Sequence, residues 1–355
     1  MSIPRVPTAV VVVVLSLVSG CKKTIEPPTI SSLTGPDSGF VGEALTFQVT
    51  GTDPGGADVS YELQWGDTSS LAWTGNYPSG QQTTVRHTYL DTGAYQIRAK
   101  VRNTAGDESD WSSPHSVAIS RKLLPMPVVV YTAIPPNGAG VRVTWAAVTG
   151  AEYYRIATDD TAINTTATYC DLMTPTQLIT VRACDSFSQG EAATIDCSVT
   201  ETSPLVLYGI SDPNVDHPAG LAFTSNGSAT ALSLSDANKP TIDYVCDDEN
   251  ISPVGLVNAG DYGWSGNTKL NTSMDAGTTD YDALDQAATS GYSTQTTIAY
   301  DRVYALWMSN SAYWTVYDHF AKAKIMSIED VGGVKKVTLR IGYQKIGGLR
   351  WLKTQ

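Results

Sequence analysis

The chain alternates hydrophobic and polar residues in short runs rather than with the longer period of a helix. Tyr95, Ile97, Ala99 and Val101, for example, are separated by polar residues. Successive side chains of a strand point to opposite faces, so this segment predicts a strand with one buried face. Similar runs recur, divided by Gly, Asp, Asn, Pro and Ser clusters about every eight to twelve residues. The pattern predicts an all-β protein.

Proline-containing stretches interrupt the strand patterns twice, at Leu124-Pro125-Met126-Pro127 and at Ser203-Pro204. They divide the chain into expected domains at 28–121, 122–202 and 203–355. We expect two tandem immunoglobulin-like β-sandwiches followed by a larger C-terminal antiparallel β domain.

The third expected domain has its clearest pattern near the end of the chain. From residue 320 onward, Phe320 and Lys322 alternate with small apolar residues, and a second alternating run follows the Gly332-Gly333 turn. This predicts an antiparallel pair of strands with one buried face, next to a third strand over 302–307.

Residues 1–20 have the composition of a signal peptide. Arg5 is the only charge, an apolar run extends from Ala9 to Val18, and small residues precede Cys21. Val18-Ser19-Gly20-Cys21 resembles the lipobox of bacterial lipoproteins, which implies that Cys21 carries lipid and begins a short spacer over 21–27. Lipid chains on Cys21 would hold the protein on a membrane without a spanning helix.

The residues after Cys21 bear on where such a lipoprotein would reside. Lys22 and Lys23 follow it, rather than the aspartate that retains some Gram-negative lipoproteins at the inner membrane. We therefore expect an extracytoplasmic location in the bacterial cell envelope, at the outer membrane or the cell surface.

Four further cysteines lie in the expected exported part of the chain: Cys170, Cys184, Cys197 and Cys246. Disulfides persist outside the cytoplasm, and four cysteines allow two bridges in three connectivities. Buried free thiols are the alternative. No Cys-x-x-Cys pair is present, which argues against a zinc site.

The segment 28–121 carries the turn Trp65-Gly66-Asp67, then His87-Thr88-Tyr89, and an alternating strand after Gly93. Together these motifs resemble the polycystic-kidney-disease (PKD) type of immunoglobulin-like domain. The resemblance implies a spacer or adhesive module in which His87 is structural rather than catalytic.

The segment 122–202 has a strand ending in Trp145, a Tyr153-Tyr154 strand and the run Thr180-Val181-Arg182-Ala183. It is similar to a fibronectin type III sandwich, in which the strand tryptophan packs under the tyrosine-containing strand. Its cysteines depart from the family pattern.

The segment 203–355 resembles HmuY-like lipoproteins through Phe223 with Gly227, Ile242-Asp243, Ala323-Lys324-Ile325 and the final strand at 337–343. The resemblance implies capture of haem or another small ligand, with haem held by histidine or methionine pairs. The corresponding middle of this chain has no histidine and only Met274, which weakens that implication.

Two histidines of the third expected domain, His217 and His319, each follow an aspartate. A carboxylate beside a histidine can fix its tautomer for ligation of haem or a metal. The alternative is a structural role at a strand entrance.

An acidic segment of the same domain is a candidate calcium site. Its residues are Asp275, Asp280, Asp282 and Asp285, with Gly277 among them. Carboxylates on a glycine-containing loop suit Ca²⁺, although the spacing differs from an EF-hand loop. A solvated acidic loop is the alternative.

The charge of the chain bears on which partners it can bind. The 355 residues include 35 acidic and 23 basic side chains, a formal net charge of −12. Nucleic-acid binding requires clustered Lys and Arg, so we expect no nucleic-acid partner. No nucleophile elbow, metalloprotease helix, phosphate loop or dinucleotide motif is present, and we expect no catalytic residue.

Four aromatic residues of the third expected domain are candidates for a shallow carbohydrate-binding face: Trp264, Trp307, Tyr313 and Trp314. Core packing is the alternative, and we expect it for Trp307 at least.

These patterns lead to a lipid-anchored, non-catalytic envelope protein. Its C-terminal domain would bind or adhere to a carbohydrate, protein or haem ligand, raised above the membrane on two immunoglobulin-like modules. The alternatives are small-ligand capture by a HmuY-like domain and a secreted polysaccharide or protein hydrolase with accessory modules.

Overall fold

The computed structural model of the protein describes residues 26–224 and 227–354, together with Met1. The chain folds into two compact units, Met1–Lys122 and Leu123–Gln355. The described residues form 25 strands and one short 3₁₀-helix, so the predicted all-β fold class is confirmed. The expected signal peptide, except Met1, and the lipidation site Cys21 lie outside the described residues.

Two sheets form the first unit, with strand orders β1-β3-β6 and β2-β8-β7-β4-β5. Only β2 and β8 run parallel among its described strand pairs. The strands are β1 (Thr29–Thr34), β2 (Ser38–Phe40), β3 (Ala44–Thr52), β4 (Val59–Gln64), β5 (Ser70–Leu71), β6 (Thr83–Thr88), β7 (Gly93–Asn103) and β8 (His115–Ser120).

The core of the first unit follows the alternation of β7. Ile97, Ala99 and Val101 are completely buried, as the period of two predicts. His87 stacks on Trp65 with ring centroids 4.6 Å apart and donates a hydrogen bond to Asp67 over 2.7 Å. These contacts give His87 a packing role inside the sandwich.

The second unit begins with a sandwich of three plus four strands, in the orders β13-β10-β9 and β12-β11-β14-β15. Trp145 packs edge-on against Tyr154, with centroids 5.2 Å apart. Its strands are β9 (Val129–Ala133), β10 (Val141–Trp145), β11 (Tyr153–Ala157), β12 (Ala162–Thr165), β13 (Tyr169–Leu172), β14 (Leu178–Cys184) and β15 (Gln189–Asp196).

A larger sandwich of two five-stranded sheets completes the second unit, in the orders β16-β25-β24-β23-β21 and β18-β17-β19-β20-β22. The 3₁₀-helix Ala259–Tyr262 follows β20. The strands are β16 (Thr200–Tyr208), β17 (Gly220–Phe223), β18 (Ala229–Leu232), β19 (Tyr244–Asp247), β20 (Gly255–Asn258), β21 (Thr272–Asp275), β22 (Gln295–Thr297), β23 (Val303–Met308), β24 (His319–Val331) and β25 (Val334–Tyr343).

The predicted hairpin at the end of the chain is confirmed, since β24 and β25 pair around Gly332-Gly333 and β23 lies beside β24. The expectation of one buried face is wrong for the first half of β24. Phe320 and Lys322 are completely buried on the face opposite the sandwich interior. The reason is that residues 281–287 cover this outer face, with Ala287 packed in the same cluster as Phe320.

The residues after β25 return to the smaller sandwich. Ile346, Leu349 and Trp351 belong to the core cluster that also contains Trp145. The indole of Trp351 donates to the carbonyl of Ala139 over 3.0 Å. Residues 344–354, the C-terminal tail, therefore complete the core of a sandwich that lies about two hundred residues earlier in the chain.

Candidate functional site

A polar cleft of about 480 Å³ opens at one end of the larger sandwich. It lies where β23 ends and β24 begins, beside the segment that precedes β21. We call it the polar cleft, and its lining residues are Asp243, Lys269, Asn271, Met308, Ser309, Asn310, Ser311, Thr315, Tyr317, Asp318 and His319.

Asp318 holds one wall of the polar cleft in place. Its side chain is buried and accepts four hydrogen bonds. One oxygen accepts from the Trp307 indole over 2.8 Å and from the Thr315 amide over 3.0 Å. The other accepts from the hydroxyls of Ser309 and Thr315, over 2.9 and 2.8 Å. A buried carboxylate with this many donors fixes the loop that contributes them.

Asp243 organises the opposite wall. One of its oxygens accepts from Lys269 over 2.8 Å and from Asn271 over 3.0 Å, and the other accepts from the Phe223 amide over 2.7 Å. Asn271 in turn accepts from the Ser309 amide over 2.8 Å, which ties this wall to the loop. The polar groups are therefore positioned by one another rather than by a single strand.

The loop between β23 and β24, residues 309–318, is built from serine and threonine turns. The Ser309 hydroxyl accepts from the Ser311 amide over 3.0 Å and donates its single proton to Asp318. Trp314 anchors the loop by donating to the Gly348 carbonyl over 2.8 Å. The same loop leaves Tyr313 and Tyr317 about four-fifths exposed, at 81% and 85%. An anchored loop thus presents two aromatic rings to solvent, and one of them, Tyr317, lines the polar cleft.

A second cleft of about 470 Å³ lies in the same sandwich and contains three carboxylates, Asp212, Asp216 and Asp236. We call it the acidic cleft. His217 lines it, stacks on Tyr208 with centroids 4.1 Å apart, and donates to Asp212 over 2.7 Å. This hydrogen bond lowers the pKa of Asp212 below its usual value.

The structure does not bring the two candidate histidines together. His217 lines the acidic cleft, whereas His319 lines the polar cleft and donates weakly to the Gln344 carbonyl over 3.3 Å. Neither histidine bonds the aspartate that precedes it in sequence, because Asp318 is engaged by the loop and His217 pairs with Asp212. The pair does not provide axial ligands for one haem.

The four acidic candidates for calcium have separate partners. Asp275 pairs with Arg302 over 2.7 Å, Asp282 accepts from the Thr354 hydroxyl over 2.7 Å, and Asp280 accepts from the amide of Asp282. The backbone carbonyl of Asp285 accepts from Leu352. Within residues 26–224 and 227–354, no three His, Cys, Asp or Glu side chains gather as a metal site.

The four described cysteines are unpaired thiols in the structure. Cys184, Cys197 and Cys246 are buried and Cys170 is half-buried. Burial raises the pKa of Cys197 to about 12. Such thiols are protonated and unreactive at neutral pH.

The aromatic candidates separate into core and surface. Trp307 stacks on Phe320 with centroids 5.8 Å apart, as expected for a core residue. Trp264 stacks on Tyr262 in a different cluster, and Trp314 packs against the smaller core. Of the four aromatic residues, only Tyr313 is strongly exposed.

The sequence does not single out the residues that organise the polar cleft. Asp243 appears in the sequence only within the Ile242-Asp243 strand of the HmuY-like resemblance, and Lys269, Asn271 and Ser309 belong to no motif. Asp318 stands out in the sequence only as a neighbour of His319. The one local signal is the density of Ser and Thr around 309–315, which is typical of a hydrogen-bonded turn.

No helix in the described part of the chain is long and apolar enough to span a bilayer.

Comparison with known proteins identifies the first unit. The profile of the PKD domain family matches residues 25–119. The PKD domain of an M14-like peptidase from Thermoplasmatales archaeon SCGC AB-540-F20 is 33% identical, with 27% of this chain and 98% of that one covered and a TM-score of 0.26.

Two other solved structures are similar at lower identity. The CARDB domain of a Pyrococcus furiosus protein, in complex with di-metal ions, is 19% identical, with 28% of this chain and 99% of that one covered and a TM-score of 0.21. A bacterial ice-binding adhesin is 10% identical, with coverages of 93% and 99% and a TM-score of 0.23. The search of curated proteins finds no match. Residues 25–119 therefore form a PKD domain, and through this segment the chain belongs to the family of PKD-domain proteins.

Proposed function

We propose that this is a lipid-anchored protein of the bacterial cell envelope that binds an external ligand through the polar cleft, without catalysis. The PKD domain acts as a spacer between the anchor at Cys21 and the second unit. PKD domains are often extracellular adhesion or spacer modules, which supports this arrangement.

The observation that carries the proposal is the construction of the polar cleft. Asp318 and Asp243 are buried, and each accepts hydrogen bonds on both carboxylate oxygens. Carboxylates held in this way are less available for proton transfer and favour a fixed recognition surface. A preformed polar cleft on strand ends is typical of a binding site.

The smaller sandwich of the second unit supports the scaffolding part of the proposal. Its three plus four strands and the Trp145–Tyr154 contact agree with the fibronectin type III resemblance. Its core also contains Trp351 of the C-terminal tail, so it would act as a rigid base for the larger sandwich.

One experiment tests anchoring and binding together. Bacteria that express the full chain are applied to surfaces coated with the extracellular polysaccharide and protein that bacterial cultures secrete. We expect adhesion and incorporation of labelled palmitate, and Cys21→Ser should abolish both. Asn310→Trp places a bulky ring at the exposed mouth of the polar cleft and should reduce adhesion by roughly tenfold or more while leaving the palmitate label.

The matched control is Asn214→Trp, the same substitution at an exposed position of the acidic cleft. It should leave adhesion unchanged. Loss of adhesion with Asn214→Trp but not with Asn310→Trp would assign binding to the other cleft, and absence of adhesion in the wild type would refute the binding function.

A further inference from the structure

We infer that the ligand of the polar cleft is an uncharged saccharide. This inference rests on the proposed binding function of the second unit and names its ligand class. A volume of about 480 Å³ lies within the range of small-ligand pockets, roughly 300–1,000 Å³.

The polar cleft contains side chains that are not tied to its buried carboxylates. Ser311 contributes such a hydroxyl and Asn310 such an amide. Each of these groups can both donate and accept a hydrogen bond. Sugar hydroxyls have the same double capacity, so such a lining matches a polyol better than a ligand that only donates or only accepts.

The charged groups of the lining favour an uncharged ligand. Asp243 and Asp318 outnumber the one lysine, and that lysine, Lys269, is paired with Asp243 over 2.8 Å. The cleft therefore offers no net attraction to an anion. A cation would have to displace the donors that both carboxylates already accept. An uncharged ligand needs no positively charged lining and displaces none of these donors.

Some polar atoms of the lining remain available to a ligand. The side chains of Asn310 and Tyr317 have no hydrogen-bond partner among the described residues, and neither has Nε2 of His319. Lys269 donates to Asp243 and to the Thr241 carbonyl, which leaves one of its three N–H groups. These groups lie beside side chains that are already held in place, so they can form hydrogen bonds with a ligand without a rearrangement of the cleft walls.

Tyr317 offers an aromatic surface to a ligand. Its ring is 85% exposed and stands on a loop that Trp314 and Thr315 anchor through side-chain bonds to Gly348 and Asp318. The Tyr317 amide donates to the Thr315 hydroxyl over 3.2 Å, so the backbone beneath the ring is also held. An exposed aromatic ring on an anchored backbone, beside polar groups, suits the apolar C–H face of a pyranose.

An extended peptide fits the polar cleft less well. Peptides commonly bind by adding a strand to a free sheet edge. The nearest edge strand, β21, pairs with β23 on one side and is bridged on the other by Ser273 and Ser293. The backbone of β21 is therefore already engaged.

The test uses the full chain, purified in a detergent without a sugar headgroup. The probes are immobilised neutral oligosaccharides of glucose, galactose, mannose and N-acetylglucosamine, with heparin and alginate as anionic polymers and a set of uncharged peptides. We expect binding to at least one neutral oligosaccharide. Tyr317→Ala should weaken that binding roughly three- to tenfold, and Asn310→Ala should weaken it as well.

Tyr300→Ala is the matched control, because Tyr300 is also well exposed, at 67%, and does not line the polar cleft. Its affinity should equal that of the wild type. Binding only to heparin, alginate or peptides, or equal affinities of Tyr317→Ala and wild type, would overturn the inference. Adhesion of expressing bacteria without any binding to neutral oligosaccharides would refute the saccharide and leave the proposed function standing, whereas loss of both would refute both.

Discussion

The two units bury different kinds of side chain. The core of the PKD unit consists of aromatic and aliphatic residues such as Phe47, Tyr61 and Ile97, and none of its described lysines or arginines is buried. The second unit completely buries Lys322 and nearly completely buries Arg350. The first unit follows the simple alternation of its strands, whereas the second depends on contacts between segments that are distant in sequence.

The environment of Lys322 explains how a buried cation is tolerated. Its ammonium group donates to the carbonyls of Tyr281 and Leu284, over 2.9 and 3.3 Å, and lies 4.3 Å from the centre of the Tyr281 ring. Burial lowers the pKa of Lys322 to about 8.

Arg350 is held in a comparable way. Its guanidinium donates to the carbonyls of Asn137 and Ala288 and lies 4.7 Å from the centre of the Phe320 ring. Arg350 thus connects the C-terminal tail to both sandwiches of the second unit.

Removal of residues 344–355 should have the largest effect on the comparison. The deletion removes Leu349, Trp351 and Leu352, all completely buried, and each such loss costs roughly 2–5 kcal/mol. The sum is comparable with the whole stability of a domain, roughly 5–15 kcal/mol. Calorimetry should show the transition of the second unit lost and that of the PKD unit retained. A second unit that still melts cooperatively near the wild-type temperature would show that the tail is dispensable.

A smaller effect is expected from a single methyl group at Gly138. This residue has a φ of +67°, and an added Cβ would clash with the Gly348 carbonyl oxygen of the tail. Gly138→Ala should destabilise the second unit by roughly 2–5 kcal/mol in denaturant unfolding.

Gly106→Ala in the PKD unit is the matched control for this substitution. Gly106 also has a positive φ, +96°, but nothing lies within 4 Å of its added Cβ. Only the backbone strain of roughly 1–2 kcal/mol is then expected. Equal losses at the two positions would show that the close approach of the tail to Gly138 adds nothing to the cost of the substitution.

The smallest effect is the pH dependence caused by Lys322. The folded pKa, about 8, lies below the ordinary value of 10.5, so between these values the unfolded state binds more protons. The free energy of unfolding attributable to Lys322 should therefore rise from pH 8 to pH 10, by at most about 1.4 kcal/mol per pH unit. Below pH 8 it should be constant.

The measurement compares wild type with Lys322→Met in denaturant unfolding of the second unit at pH 7, 8, 9 and 10. The difference between the two proteins isolates the lysine from the tyrosines that also titrate at high pH. A difference that does not change with pH would show that Lys322 is protonated in the folded state throughout this range.

Strand prediction worked where a single strand faces a single core. The alternation around Ile97 and the hairpin around Gly332-Gly333 follow from the period of two alone. It failed at Phe320 and Lys322, because the cover over their face comes from residues 281–287, which no local pattern connects with β24.

The candidate sites also divide into what a local sequence pattern predicts and what depends on distant segments. His217 and His319 share a preceding aspartate, which predicts a common role, yet they line different clefts. Asp243, Lys269 and Asp318 form the polar cleft although nothing in the sequence relates them. A hydrogen-bonded network across loops depends on which strand ends meet, and that is a property of the sheet order.

The sequence by itself therefore determined the all-β class, the PKD domain and the positions of the clearest strands, because periodicity and turn residues act over a few positions. The tertiary structure decided the polar cleft, the burial of Lys322 and the return of the C-terminal tail to the smaller core. These features depend on contacts between residues up to about two hundred positions apart, such as Trp351 with Ala139. Their free energy comes from burial and hydrogen bonds that exist only after the sheets have assembled.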